Sequence, residues 1–182
     1  MFSRINPDSD MTMYIYDCIE NGEYDELNDY LNKNNINLNY KSELVEDIFP
    51  TPLSFAITVA NSEFCELLIK HGADPNIPGF NIHIAIEHHD LETFKILLKY
   101  GANPNVPEIN GHTPLQAIMW NYKNEPDGNE FEYVRALMES DLFYVGEDEQ
   151  RYLNRIGWNL NLLLPESIEV EDLNKATDSI WL

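Results

Sequence analysis

The chain has 182 residues, 43% of them hydrophobic and 12% aromatic, which suffices for one domain with a sizeable core and argues against extensive disorder. Its 11 Lys and Arg against 32 Asp and Glu give a net charge of −21, a field that repels nucleic acid and anionic membrane and speeds encounter with basic partners. Apolar stretches such as Leu160 to Leu164 are too short to cross a bilayer, and Met1 to Met13 holds no apolar segment of the kind a secretory signal needs.

The charge is unevenly spread. Residues 1–50 carry 11 acids and 3 bases (−8), residues 51–124 carry 7 and 4 (−3), and residues 125–182 carry 14 and 4 (−10). Acidity alone serves solubility as well as partner capture.

Along the chain, the first helix pair is expected within Met13 to Asn39: Tyr14 to Ile19, a turn at Asn21-Gly22, then Tyr24 to Leu31, closing at Asn34-Asn35. A long acidic connection follows, with Glu43, Glu46 and Asp47 ahead of Ile48-Phe49. The second pair opens at Thr51-Pro-Leu-Ser-Phe-Ala-Ile and closes with Glu66-Leu-Leu-Ile-Lys-His-Gly-Ala-Asp-Pro-Asn76. Thr51 suits a helix N-cap and Pro52 the first helical position, where no amide donor is needed. Phe64, Leu67 and Leu68 form one buried stripe, and Gly72 supplies the left-handed residue that ends a helix.

The third pair runs from Phe80 to Asn105 and repeats that ending as Lys95-Ile-Leu-Leu-Lys-Tyr-Gly-Ala-Asn-Pro-Asn105. The fourth opens at Thr113-Pro-Leu-Gln-Ala-Ile-Met, and its second helix is expected over Glu130 to Ser140. Self-similarity of this kind means stacked repeats. The motifs resemble the two halves of an ankyrin repeat, which opens T-P-L-H-x-A and closes L-L-x-x-G-A-D-x-N.

The resemblance implies an all-α solenoid of about four helix-turn-helix units with short fingers and a non-repeat C-terminal cap. The units lie at about 13–39, 51–76, 80–105 and 113–141. The stack therefore covers residues 1–141, and 142–182 form a capping extension with helix candidates at Asp148 to Ile156 and Glu169 to Ala176. Trp158 to Leu164 is expected as a short apolar strand or helix. Alternatively, this extension binds a partner.

Departures from the family pattern mark what is particular to this chain. Thr51 to Phe80 is a step of 29, four short of the usual 33 or so, so the finger is clipped to Ile77-Pro78-Gly79. In the third unit Phe-Asn replaces Thr-Pro. In the fourth, Asn121 to Asn129 carries an insertion between the helices, and Asp141-Leu142 stands for Gly-Ala.

The resemblance implies docking on the fingers and the exposed ends of the first helices. Mapped here, the partner-binding candidates are Glu46, Asp47, Phe49, Glu87, His88, Glu108, Asn110, His112, Trp120, Asn121, Tyr122, Glu125 and Asp127. Trp120 is the expected anchor, an aromatic ringed by acids; the alternative is that the insertion folds over it.

Cys18 and Cys65 fall at core positions and read as packing groups. No metal, cofactor or catalytic motif is present in the sequence, although His88, His112 and Glu87 are the conceivable metal set. The expectation is a cytoplasmic, non-enzymatic monomer. It binds another protein of basic character, without contacting nucleic acid or membrane. It neutralises that partner, for instance as an immunity protein or antitoxin against a toxin such as a nuclease, or else it serves as a general adaptor or effector scaffold.

Overall fold

The computed structural model describes residues 4–41, 51–124 and 128–156. Within them lie α1 (Ser9–Asn21), α2 (Tyr24–Lys33), α3 (Pro52–Thr58), α4 (Ser62–Lys70), α5 (Asn81–Glu87), α6 (Leu91–Lys99), α7 (Pro114–Asn124), α8 (Glu130–Met138) and α9 (Glu147–Ile156). The chain divides into two compact units, Met1–Ala102 and Asn103–Leu182.

In the first unit three helix pairs stack side by side, α1 against α3 and α3 against α5, with α4 against α6 in the second row. Their apolar stripes meet in one interior of Ile15, Leu27, Leu53, Phe64, Leu68, Phe94 and Leu97, all fully buried. Cys18, Ala56 and Ala85 occupy equivalent places in α1, α3 and α5, each with no exposed surface. Small side chains there let the neighbouring helix approach closely. Cys65 is equally enclosed; burial pushes its thiol up to about 12, against a small opposing effect of Thr93. Such a thiol is a packing group with little thiolate at neutral pH.

The local signals act as read. Thr51 caps α3 by accepting from the Ser54 amide, and Pro52 follows in the first turn. Thr113 and Gln116 form a reciprocal capping box, the Gln116 amide donating to Thr113 Oγ1 and the Thr113 amide to Gln116 Oε1. In the third pair Phe80 makes no side-chain cap, and the reason for the exchange of Thr-Pro lies one residue later. Buried Asn81 donates through Nδ2 to the carbonyls of Pro75 (3.1 Å) and Ile77 (2.9 Å), fastening the clipped finger to the head of α5.

A second periodic device follows each pair. Asn39, Asn76 and Asn105 each donate from Nδ2 to a carbonyl one repeat further on: Gly72 (3.2 Å), Gly101 (2.9 Å) and Leu142 (2.7 Å). Each asparagine also receives its own turn from the residue two before it, through Asn37, Asp74 and Asn103 side chains accepting from its amide. These bonds satisfy carbonyls in the turns just beyond α4, α6 and α8.

This ladder corrects two register assignments by one residue. Leu142-Phe143, and not Asp141-Leu142, stands where Gly101-Ala102 stands, and Phe143 is buried as Ala102 is. Likewise Asn35-Ile36 replaces Gly72-Ala73 in the first pair, in place of Asn34-Asn35, with Ile36 buried like Ala73. Without glycine the first pair leaves its helix through an extended Asn34 (φ −121°, ψ 122°), whereas Gly72 takes the left-handed φ of 95°.

The first pair holds a feature absent from the sequence expectations. Ile5 bridges Ile36 in parallel: its amide donates to the Asn35 carbonyl (2.7 Å) and its carbonyl accepts from the Asn37 amide (2.8 Å). Asn37 also bonds Asn6, and Arg4 Nη1 reaches the Gly72 carbonyl at 2.9 Å. Residues 4–6 thus strap the loops of the first and second pairs together.

In the second unit α7 packs against α8 as a pair, around buried Leu115, Ile118, Tyr133, Val134 and Leu137. Here α7 has 11 residues where α3 and α5 have 7. The insertion seen in the sequence therefore begins as added helix. α8 ends at Met138 with Glu139 as its C-cap, a little before the expected Ser140. At α9, Gly146 donates its amide to Glu149 Oε2 (2.7 Å), and Leu153 is buried. The expected elements at Trp158 to Leu164 and Glu169 to Ala176 lie outside the described residues.

Candidate protein-interaction surface

The first helices end in exposed residues at corresponding positions. In the first unit these are Glu20 and Asn21 at the end of α1, Val59 after α3, and Glu87 and His88 at the end of α5, with Thr58 half-buried. Their placement follows from the turn between the helices of each pair, where Gly22, Ala60 and His89 take left-handed φ values of 73°, 53° and 54°. That reversal turns the preceding residue outward before the next helix starts. Asn61 and Asp90 then cap the second helices by accepting from the Phe64 and Thr93 amides.

In the second unit the finger before α7 is a closed turn. The Glu108 amide donates to the His112 carbonyl (2.9 Å), and the Gly111 amide to the Glu108 carbonyl (2.8 Å). The Glu108 carboxylate clamps the same turn from within, accepting from Asn110 Nδ2 at 3.1 Å and meeting His112 Nδ1 at 2.9 Å. Desolvation pushes that carboxyl up, but the Asn110 amides and the His112 ring outweigh it and hold it below its ordinary value. Glu108, Asn110 and His112 are thus brought together in one finger. Ile109 at its tip is 98% exposed; its immediate neighbours were singled out in the sequence, but its place at the tip is set by the turn geometry.

Trp120 sits on α7 with 62% of its surface exposed. The added turn of helix carries the chain past it, so Trp120 stands within the helix and not at its last residue. Asn121 beside it is half-buried. Phe131, in the first turn of α8, is 43% exposed and was not among the residues singled out in the sequence.

Glu46, Asp47, Phe49, Glu125 and Asp127 lie outside the described residues, as does the side chain of Tyr122. Glu87 and His88 belong to the first unit; Glu108, Asn110, His112, Trp120 and Asn121 belong to the second.

The opposite row of the first unit is electrostatically settled. Glu66 on α4 is shared by Lys70 and Lys99, each at 3.0 Å, and by the Tyr100 hydroxyl at 2.9 Å. Lys99, Lys70 and Tyr100 together hold its carboxyl down to about 2. Lys33 likewise meets Asp29 at 3.7 Å. Cations at the C-terminal turns of α2, α4 and α6 also suit the helix dipole.

Among the described residues no group of three His, Cys, Asp or Glu side chains is placed to hold a metal ion, and no helix is long and apolar enough to cross a membrane. The model of one protein family matches residues 13–108, as three copies of its ankyrin repeat. The chain belongs to the ankyrin-repeat family. The match agrees with the all-α repeat fold and identifies a protein–protein interaction module. No curated protein matches the ankyrin chain.

Proposed function

We propose that this ankyrin-repeat protein captures and neutralises a basic partner protein, one concrete form being an immunity protein or antitoxin that blocks a toxin such as a nuclease. The observation that carries the reading is the charge: −21 overall, on a repeat module whose family binds proteins. Each unit supports it by itself: the first through the exposed ends of α1, α3 and α5, the second through the braced Glu108–His112 finger and exposed Trp120. Glu46, Asp47, Phe49, Tyr122, Glu125 and Asp127 are further candidate contacts by their acidic and aromatic chemistry.

In this reading residues 1–141 form the stack and 142–182 close its end. Gly146 supports that division, because it stands where the next ladder asparagine would stand and offers no amide side chain to a further unit. The protein acts in the cytoplasm, as a monomer before it meets its partner, and needs no cofactor.

Association kinetics test the proposal. Capture of a basic partner by an acidic face should slow by roughly tenfold or more between low and physiological salt, as steered encounters do. An association rate indifferent to salt would overturn it and leave a general adaptor role.

A further inference from the structure

We infer that the strap of residues 4–6 occupies an exchangeable peptide site, on which a basic partner seats an extended segment with an arginine in place of Arg4. The inference rests on the basic-partner reading above and adds a location and a sequence preference to it.

The site is read from the segment that fills it. Residues 4–6 belong to no helix, and their backbone docks as a strand would, on the Asn35 carbonyl and the Asn37 amide. An acceptor and a donor at that spacing are met by an extended chain running parallel to residues 35–37. The Arg4 guanidinium then lies where a Cβ on Gly72 would stand, room that only glycine leaves. At Gly101, the equivalent position one repeat on, the same place is open. The Gly72 carbonyl accepts from both Arg4 Nη1 (2.9 Å) and Asn39 Nδ2 (3.2 Å), so the ladder fixes the seat.

The same contacts set a preference. Ile5 is 53% exposed, so the bridging position selects for backbone and not for side chain. Asn6 Oδ1 accepts from Asn37 Nδ2 at 2.8 Å. The preferred pattern is arginine, then any residue with a free amide, then a side-chain oxygen. Residues 8–33, the first helix pair, carry eight acids and one base, a field that draws in a cationic segment. The strap is exposed and held by hydrogen bonds, which places it among the parts of the fold that open most readily.

The test uses the full chain, native and as the double variant Arg4→Ala, Ile5→Pro, which loses the guanidinium and the Ile5 amide donor. Both replaced residues are exposed, so the fold should persist, checked by its melting curve. If it does not, Arg4→Ala alone gives the same comparison at smaller amplitude. The probe is a capped peptide of sequence Ser-Arg-Ile-Asn-Pro, beside a counterpart with lysine for arginine. The Asn37 amide should resist hydrogen exchange in the native chain and lose that protection in the variant. Adding the arginine peptide to the variant should restore it. The lysine peptide keeps the charge but not the guanidinium fork, and should bind the variant roughly fivefold more weakly. The arginine peptide should bind the native chain roughly fivefold more weakly than the variant, because the native strap competes for the site.

An Asn37 amide that stays unprotected with peptide at millimolar concentration would overturn this inference alone. So would equal binding of the two peptides, or equal binding to the native chain and the variant. Nona-lysine should bind both chains at low salt; its failure would overturn the basic-partner reading and this inference with it. Self-association of the native chain, lost in the variant, would mean that copies exchange the strap, and would overturn the partner's place on the site.

Discussion

The two compact units treat the same repeat differently. In Met1–Ala102 the first helices α3 and α5 are equally short, the ladder asparagines recur, and substitutions at one place are answered nearby, as when Asn81 fastens the clipped finger. In Asn103–Leu182 the first helix is longer, Leu142 replaces glycine at the end of the pair, and an exposed tryptophan, Trp120, stands mid-helix. Regularity in the first unit serves packing. The second unit keeps the packing residues and spends its irregularities on the surface, which is where a binding site can be altered at little cost to the fold.

The largest effect that would sharpen this contrast is a cavity in the regular unit. Phe94 is fully buried, so Phe94→Ala should cost about 3–5 kcal/mol, read from the urea midpoint. Trp120→Ala should do the reverse: affinity for the native partner should fall by about 2 kcal/mol, with the urea midpoint almost unmoved. If instead stability falls and affinity holds, Trp120 belongs to the packing of its own unit and the contrast breaks.

A smaller effect probes what the two units share. Asn76→Ala removes the donor to the Gly101 carbonyl and should cost about 1 kcal/mol. Asn105→Ala should match it through Leu142, although the ladder there lacks glycine. Unequal losses in chemical denaturation would mean that the second unit relies less on the ladder.

The smallest effect concerns Glu66. A carboxyl held at about 2, against about 4.3 for an unperturbed Glu, contributes stability that is complete above the unfolded value and lost as pH falls toward the folded one. Glu66→Gln should therefore lower the melting temperature slightly at pH 7, and the difference should close between about pH 4 and pH 2. A difference that persists unchanged in acid would point to packing and not to the shared ion pairs. Because the group is partly exposed, the effect should also shrink with salt.

Much of the fold was legible because its signals are local. Thr51-Pro52, Thr113-Pro114, Gly72 and Gly101 act within one turn of chain, and the ankyrin motifs repeat them. The register of the first and fourth pairs was not legible. Where Asn35 and Leu142 replace glycine, their carbonyls accept from donors tens of residues away, the Ile5 amide and Asn105 Nδ2, which no local pattern records. The Arg4–Ile5–Asn6 strap escaped for the same reason. The finger at Glu108 to His112 was found from motif position, but the exposure of Ile109 follows from turn geometry. The partial exposure of Phe131 likewise follows from how α8 packs, which no local pattern records.

The strap also bears on the order in which the chain takes shape. Arg4 bonds a carbonyl 68 residues later, and Ile5 pairs with residues that follow two complete helices. Ile5 can pair as soon as the first helix pair is complete, whereas Arg4 finds its carbonyl only once the second pair has closed. Contacts so distant along the chain are slow to close. Residues 4–6 therefore precede in the chain every partner they are seated against.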